Sequence, residues 1–115
     1  MKAAPTNVMS NFVHYGERVG SLPDKQFKAT LFESGRLMLG LNCLEPGQSQ
    51  HAHVHANQDK FYFVVEGTGD FEVGDEARLA GEGMVVWAPA GVRHGVTNRG
   101  TTRLVLLVGI APWSA

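Results

Sequence analysis

Nine short apolar runs, separated by glycine, proline or charged residues, fill the chain from Gln26 onward. The runs read FKATLF, RLMLGLNCL, HAHVHA, KFYFVVEG, GDFEV, EARLA, MVVWAP, HGVTN and RLVLLVGI. Each run has the length of a β-strand, and turn residues recur about every 8–12 positions. This spacing predicts an all-β sandwich or barrel.

Two of these runs carry a further constraint, because their FYFVV and LVLLV segments are apolar at every position. Successive side chains of a strand point to opposite faces of the sheet, so both faces of these strands must be covered. One face would line the interior of a barrel. The other would be covered by the N-terminal segment or by a partner subunit.

The length and charge of the chain limit its organisation and its partners. A chain of 115 residues predicts a single domain, which we divide into an N-terminal arm (1–25) and a β-barrel domain (26–115). Ten basic and eleven acidic side chains give a net charge of −1, and no block of like charge occurs. We therefore expect neither nucleic acid nor a membrane surface as a partner.

The cysteine content and the lengths of the apolar runs bear on the compartment. The single cysteine, Cys43, excludes an internal disulfide and favours a reducing environment. No run approaches the roughly 20 apolar residues that span a bilayer, and the first residues show no apolar stretch typical of a signal peptide. We expect a cytoplasmic protein.

The stretch HAHVHANQDK, residues 51–60, places His51, His53 and His55 at alternate positions. Alternate side chains of a strand share one face, so the three imidazoles would lie together. Neutral imidazoles in such a group are good ligands for a first-row divalent metal. Alternatively, they are polar residues of a solvated strand.

A fourth histidine occurs in the stretch GEGMVVWAPAGVRHGVTN. Pro89 and Gly91 predict a tight turn between strands, and His94 begins the strand that follows. If this strand lies beside the one that carries the other histidines, His94 joins their cluster.

These two stretches resemble the paired motifs of the cupin superfamily of small β-barrels. The first motif is a glycine, five residues, His-x-His, three or four residues, a glutamate, six residues and a glycine. Gly47, His53, His55 and Gly67 match it, and Lys60 occupies the place of the glutamate. The sequence is also similar to a group of small single-domain cupins with an HVH…DK stretch.

The second motif is a glycine, five residues, Pro-x-Gly, two residues, a histidine, three residues and an asparagine. The chain matches every position of it, with Gly83, Pro89, Gly91, His94 and Asn98. The resemblance covers residues 47–98 and implies an antiparallel jelly-roll β-barrel that forms homodimers. It further implies a divalent metal ion (iron, manganese, nickel or zinc) bound by His53, His55 and His94.

Lys60 departs from the family pattern, because an ammonium group has no lone pair to donate and repels a nearby cation. Three alternatives follow. In the first, Lys60 turns aside and pairs with Asp59 or Glu66, leaving a three-histidine site like the iron sites of thiol dioxygenases. In a second alternative, His51 or Gln58 supplies a fourth ligand. In the third, Lys60 replaces the charge of the metal and binds an anionic ligand.

Two functional hypotheses follow. In the first, the chain is a metal-dependent cupin that acts on a small molecule, as an oxygenase or an isomerase; Lys60, Tyr62 or His51 would then position the substrate or move a proton. In the second, it binds a small anionic ligand without turnover, and Lys60 provides the opposite charge. Lys60, Tyr62 and Gln58 are the candidate ligand contacts in either case.

Overall fold

The computed structural model describes residues 10–114, which form nine strands and one 3-10 helix, Tyr15–Glu17. The strands are β1 Phe27–Glu33, β2 Met38–Leu44, β3 Ser49–His53, β4 Asp59–Glu66, β5 Gly69–Val73, β6 Glu76–Ala80, β7 Val85–Ala88, β8 His94–Thr97 and β9 Leu104–Ala111. Each of the nine predicted runs overlaps one strand, which confirms the all-β prediction. Among the described residues, no helix has the length and apolar character needed to cross a membrane.

The strands form two antiparallel sheets. The larger sheet has the order β1-β2-β9-β4-β7 and the smaller one β3-β8-β5-β6. Because β9 lies between β2 and β4, the chain crosses between sheets rather than forming a simple meander. This is the jelly-roll arrangement that the motifs imply. Residues 1–9 of the predicted arm, and the last residue of the predicted domain, lie outside the described residues.

The two sheets enclose a core of apolar side chains. β4 and β9, the two strands with apolar residues at every position, are both interior strands of the larger sheet. Their inward side chains pack against β5 and β8 of the smaller sheet. The buried members of this inner core are Leu44, Tyr62, Val64, Phe71, Ala80, Ala88, Val96, Leu104, Leu106 and Val108.

The N-terminal segment covers part of the outer face of the larger sheet. Leu31, Leu41, Cys43 and Val105 form a second buried cluster there, and the N-terminal side chains Val13, Tyr15 and Val19 pack against it. The hydroxyl group of Tyr15 donates to Glu66 Oε2 at 2.7 Å. Arg103 forms an ion pair with the same carboxylate, at 3.1 Å. The part of this face around Leu41 and Val105 is therefore covered by the chain itself, as one of the two alternatives predicted.

Candidate metal centre

An irregularity in β3 determines which histidines meet. Gln50 pairs with Val96 and His53 pairs with His94, so three steps along β3 correspond to two along β8. Such a β-bulge changes the direction of the side chains that follow it. Gln50 is buried and His53 reaches the interior, whereas His51 is exposed. The strict alternation predicted for the histidines was therefore wrong at His51.

Gly95 on β8 makes room for the bulge. A Cβ atom at this position would lie 2.9 Å from Ala52 Cα, Ala52 N and Gln50 O. Real side chains do not approach backbone atoms this closely, so the bulge requires glycine on the opposing strand.

His55 lies beyond the end of β3 and is held by the turn that precedes β8. The turn closes with a hydrogen bond from Val92 N to Pro89 O, and Gly91 has a φ of 80°, which favours glycine. Gly91 N donates to the carbonyl oxygen of His55 at 2.8 Å. Asp59 accepts from the neighbouring amide of Ala90 at 2.9 Å. The turn of the second motif thus fixes the histidine of the first.

The rings of His53, His55 and His94 meet at one point of the interior. Each offers a ring nitrogen, and the three nitrogens lie within 4.8 Å of one another. His53 Nδ1 lies 2.8 Å from the carbonyl oxygen of His51, and His94 Nδ1 lies 2.9 Å from that of Val92. Since a carbonyl only accepts, both Nδ1 atoms carry the proton, and the Nε2 atom of each ring has a lone pair. His53 Nε2 lies 2.9 Å from His55 Nε2, whereas His94 Nε2 has no partner.

The environment of these rings suits a metal ion. His94 is 1% exposed, and its Nε2 is buried without a hydrogen-bond partner. An orphaned acceptor of this kind is costly unless something coordinates it. Burial lowers the pKa of both His55 and His94, and neighbouring positive charge adds to this effect. A lowered pKa favours the neutral form of both imidazoles, which is the form that binds a metal. The three histidines therefore fit a divalent cation.

Lys60 extends into the same interior and is 4% exposed. Its Nζ donates to Gln50 Oε1 at 3.3 Å and lies 4.5 Å from the centroid of the Tyr62 ring. The Tyr62 hydroxyl donates to the same Gln50 oxygen, and Gln50 Nε2 donates to Asn42 Oδ1 at 3.2 Å. Burial, together with the charge of Lys28, lowers the pKa of Lys60 to about 8.

The inward position of Lys60 excludes the ion pair of the first alternative, but not its three-histidine site. Lys60 pairs with neither Asp59 nor Glu66, since Asp59 binds the turn before β8 and Glu66 binds Tyr15 and Arg103. The inward orientation is the one required by the third alternative, in which Lys60 binds an anionic ligand.

His51 and Gln58, the fourth ligands of the second alternative, do not belong to the histidine cluster. His51 is exposed and lines the same cavity, but it is not one of the three histidines whose ring nitrogens cluster. Gln58 lies in the loop after β3, and its Nε2 donates to the carbonyl oxygen of Pro112 at 3.1 Å. Among the described residues, the histidine cluster has three members and no fourth protein ligand.

Tyr62 is placed differently from the other predicted site residues. Its side chain is fully buried in the inner core, and burial raises its pKa. The hydroxyl reaches the site only through Gln50. Sequence reasoning missed Gln50 and Asn42, the residues that orient Lys60. The one signal for them was Gly95, because a glycine inside a strand often marks a bulge in its neighbour.

A cavity of about 620 Å³ opens beside these residues. His53, His55, Lys60 and Gln50 line it, with Lys28 at its edge. Apolar side chains of β2 and β9 complete the wall, namely Met38, Val108 and Ile110. Among the described residues that line this cavity there is no aspartate or glutamate. The cavity thus combines imidazole ligands with uncompensated positive charge.

Similar proteins share the fold of this chain. An uncharacterised protein of Streptomyces coelicolor is 37% identical over 78 residues, which cover 68% of this chain and 73% of the relative. The crystal structure of TT1209 from Thermus thermophilus has a TM-score of 0.86 and 38% identity, covering 90% of this chain and 98% of that one.

A more distant structure shows the same architecture. A conserved protein with a double-stranded β-helix domain from Klebsiella pneumoniae has a TM-score of 0.85 at 21% identity, covering 90% of this chain and 91% of that one. The family model for the cupin domain matches residues 40–110, a span that includes all the histidines of the cluster. This chain therefore belongs to the cupin family.

Proposed function

We propose that this protein is a metal-dependent cupin enzyme that acts on a small molecule, with His53, His55 and His94 as the metal ligands. The metal would be iron, manganese, nickel or zinc, which all accept imidazole nitrogen. The reaction class would be that of an oxygenase or an isomerase, because three protein ligands leave positions open for a substrate.

One observation supports this proposal above the others. His94 Nε2 is buried and unpartnered, while Nδ1 of the same ring is fixed by Val92. A ring held in this tautomer presents a lone pair towards His53 and His55, and no described protein group donates to it. Carbonyl groups that orient metal-binding imidazoles in this way are typical of metal sites.

The residues around the cluster would have distinct tasks. A bound metal would supply a Lewis acid and a coordination position for the substrate. Lys60 would contact the substrate as a hydrogen-bond donor and positive charge. Gln50 fixes the position of the ammonium group, and Tyr62 fixes Gln50, so Tyr62 would be a positioning residue.

Elemental analysis of the purified protein tests the metal site. We expect close to one metal ion per chain after loading with iron, manganese, nickel or zinc. His94→Ala or His53→Ala should abolish binding, because each removes one of three ligands. His51→Ala is the matched control, since it keeps the carbonyl that orients His53 and should bind metal like the wild type. Equal metal content in all four proteins would contradict the assignment.

A second function, the binding of a small anion without metal or turnover, is favoured by one specific feature. Lys60 is a buried cation in a cavity whose described lining has no carboxylate. A protein that stays free of metal after loading with all four ions, but binds a small carboxylate in calorimetry, would be such a binding module. Loss of that binding in Lys60→Met would identify the residue responsible.

We also propose that the protein is a cytoplasmic homodimer. Val85 and Trp87 on the edge strand β7 are 63% and 56% exposed, and they pair with Phe63 and Phe61 of β4. Pairing of two copies would cover this apolar row. The cytoplasmic location rests on the single, buried cysteine. A monomer mass in sedimentation at micromolar concentration would contradict the dimer.

A further inference from the structure

The ammonium group of Lys60 is fixed rather than free to move. Gln50 Oε1 accepts from both Lys60 Nζ and Tyr62, and Gln50 Nε2 is engaged by Asn42. The four residues are all buried, each with 8% exposure or less. Because Lys60 and Tyr62 both act as donors to it, the Gln50 amide has only one favourable orientation. Lys60 therefore cannot turn away without breaking a buried network.

This fixed ammonium group has unused hydrogen-bonding capacity. Lys60 has three N–H donors, of which one meets Gln50, and the nearby Tyr62 ring contributes a cation–π contact. No carboxylate lines the cavity within the described residues, and Lys28 adds a second positive charge at its edge. A buried charge is expensive without an opposite charge close to it.

Metal binding at the three histidines would increase this imbalance. The metal would bring two positive charges into a cavity that already contains the charge of Lys60. An anion between them would interact favourably with both, because Coulomb interactions are strong in a partly buried site.

We propose that a small organic carboxylate binds between Lys60 and the metal ion, so that the metal and the carboxylate each strengthen the binding of the other. This inference rests on the metal site of the proposed function. The apolar wall of Met38, Val108 and Ile110 indicates that the rest of the ligand is apolar. The carboxylate would supply the negative charge that the glutamate of the family motif brings and that Lys60 lacks.

Calorimetric titration with nickel, with and without excess acetate, tests this coupling. Acetate is a weak chelator, and sodium chloride keeps the ionic strength equal. In the wild type, acetate should raise the affinity for nickel at least about tenfold, within the usual range of coupling between two sites. Lys60→Met should bind nickel more tightly than the wild type without acetate, and acetate should change its affinity less than about twofold.

The matched control is Lys25→Met, which removes the same charge from an exposed residue that does not line this cavity. It should show the full effect of acetate. A reciprocal measurement on the wild type does not depend on any variant. Nickel should raise the affinity of the protein for acetate by the same factor by which acetate raises its affinity for nickel. Equal effects of acetate on the wild type and Lys60→Met would overturn the carboxylate site.

The outcomes separate the two proposals. Nickel binding that is independent of acetate would leave the metal site intact and overturn the coupling. No nickel binding in any buffer would overturn the metal site, and the coupling with it. Tighter nickel binding in acetate, lost only in Lys60→Met, would support both.

Discussion

The interior of the barrel has two ends that differ in chemistry, although the same strands build them. Lys60, Tyr62 and Val64 are successive inward residues of β4. At the end near Val64, the neighbours are the apolar residues Leu104 and Leu106, both fully buried. At the end near Lys60, the neighbours are histidine and amide side chains.

The two ends show how stability and function are divided within one small core. Burial of apolar side chains at the closed end, near Val64, provides the main stabilising free energy. The polar end, near Lys60, contains a lysine and a histidine nitrogen that lack full compensation, which is unfavourable for folding. Such groups persist at sites where a ligand compensates them.

The largest expected effect belongs to the closed end. Leu104→Ala should lower the free energy of unfolding by about 2–5 kcal/mol, because it removes a fully buried side chain from the inner core. The measurement is urea unfolding followed by circular dichroism. Nickel affinity of the folded variant should remain within twofold of the wild type. If Leu104→Ala weakened nickel binding by a free energy similar to its loss of stability, the stability of the closed end and the metal binding of the polar end would not be separable.

A smaller effect on stability, combined with a large effect on the site, is expected for Gly95→Ala. The added methyl group would displace Ala52 or Gln50 and disturb the bulge that aims His53. We expect a loss of about 1–3 kcal/mol in the free energy of unfolding and at least about tenfold weaker nickel binding. Gly35→Ala is the control, since nothing lies within 4 Å of a Cβ atom there. Unchanged nickel affinity in Gly95→Ala would contradict the role of the bulge.

Reversal of the charge at the polar end should strengthen metal binding. Lys60→Glu replaces a repelling ammonium group by the anionic ligand of the family motif. In buffer without carboxylates, nickel should bind at least about tenfold more tightly, which corresponds to about 1.4 kcal/mol. Lys25→Glu makes the same charge change outside the cavity and should alter the affinity less than twofold. Equal affinities in Lys60→Glu and the wild type would show that Lys60 does not act on the metal.

The smallest effect concerns Glu66. This residue accepts a hydrogen bond from Tyr15 of the N-terminal segment and lies outside both ends of the barrel interior. Hydrogen bonds from Arg103 and then Tyr15 lower the pKa of Glu66 below its ordinary value of 4.5. A lowered carboxyl pKa stabilises the fold above pH 4.5, and this contribution disappears as the pH falls through the folded-state pKa. Glu66→Gln should therefore cost less than about 1 kcal/mol at pH 7 and nothing in acid.

Urea unfolding at several pH values measures this difference. The control is Glu72→Gln, which makes the same substitution at an exposed carboxylate on β5. If Glu66→Gln still had a lower free energy of unfolding than the wild type in acid, the stabilisation by Glu66 would not be electrostatic.

Local patterns predicted much of this architecture. The strand spacing predicted the nine strands, and the two motifs brought His53, His55 and His94 together. These features depend on the order of residues along short segments, which a sequence displays directly.

The features that could not be predicted depend on contacts between distant segments. The bulge that turns His51 outward requires the close approach of Gly95 on another strand. Asp59 caps the turn before β8, and Gln58 binds the carbonyl group of Pro112. Neither partner is visible in the sequence near these residues. Gln58 was therefore assigned to the site, and Asp59 to an ion pair with Lys60, from their proximity along the chain alone.

Anomalous X-ray diffraction from crystals of the nickel-loaded protein tests the central claim most directly. We predict one strong peak bound by the Nε2 atoms of His53, His55 and His94, at about 2.0–2.2 Å from each. Lys60 should remain inside the cavity in the same map. A peak bound by His51, or no peak among the three rings, would contradict the metal centre described above.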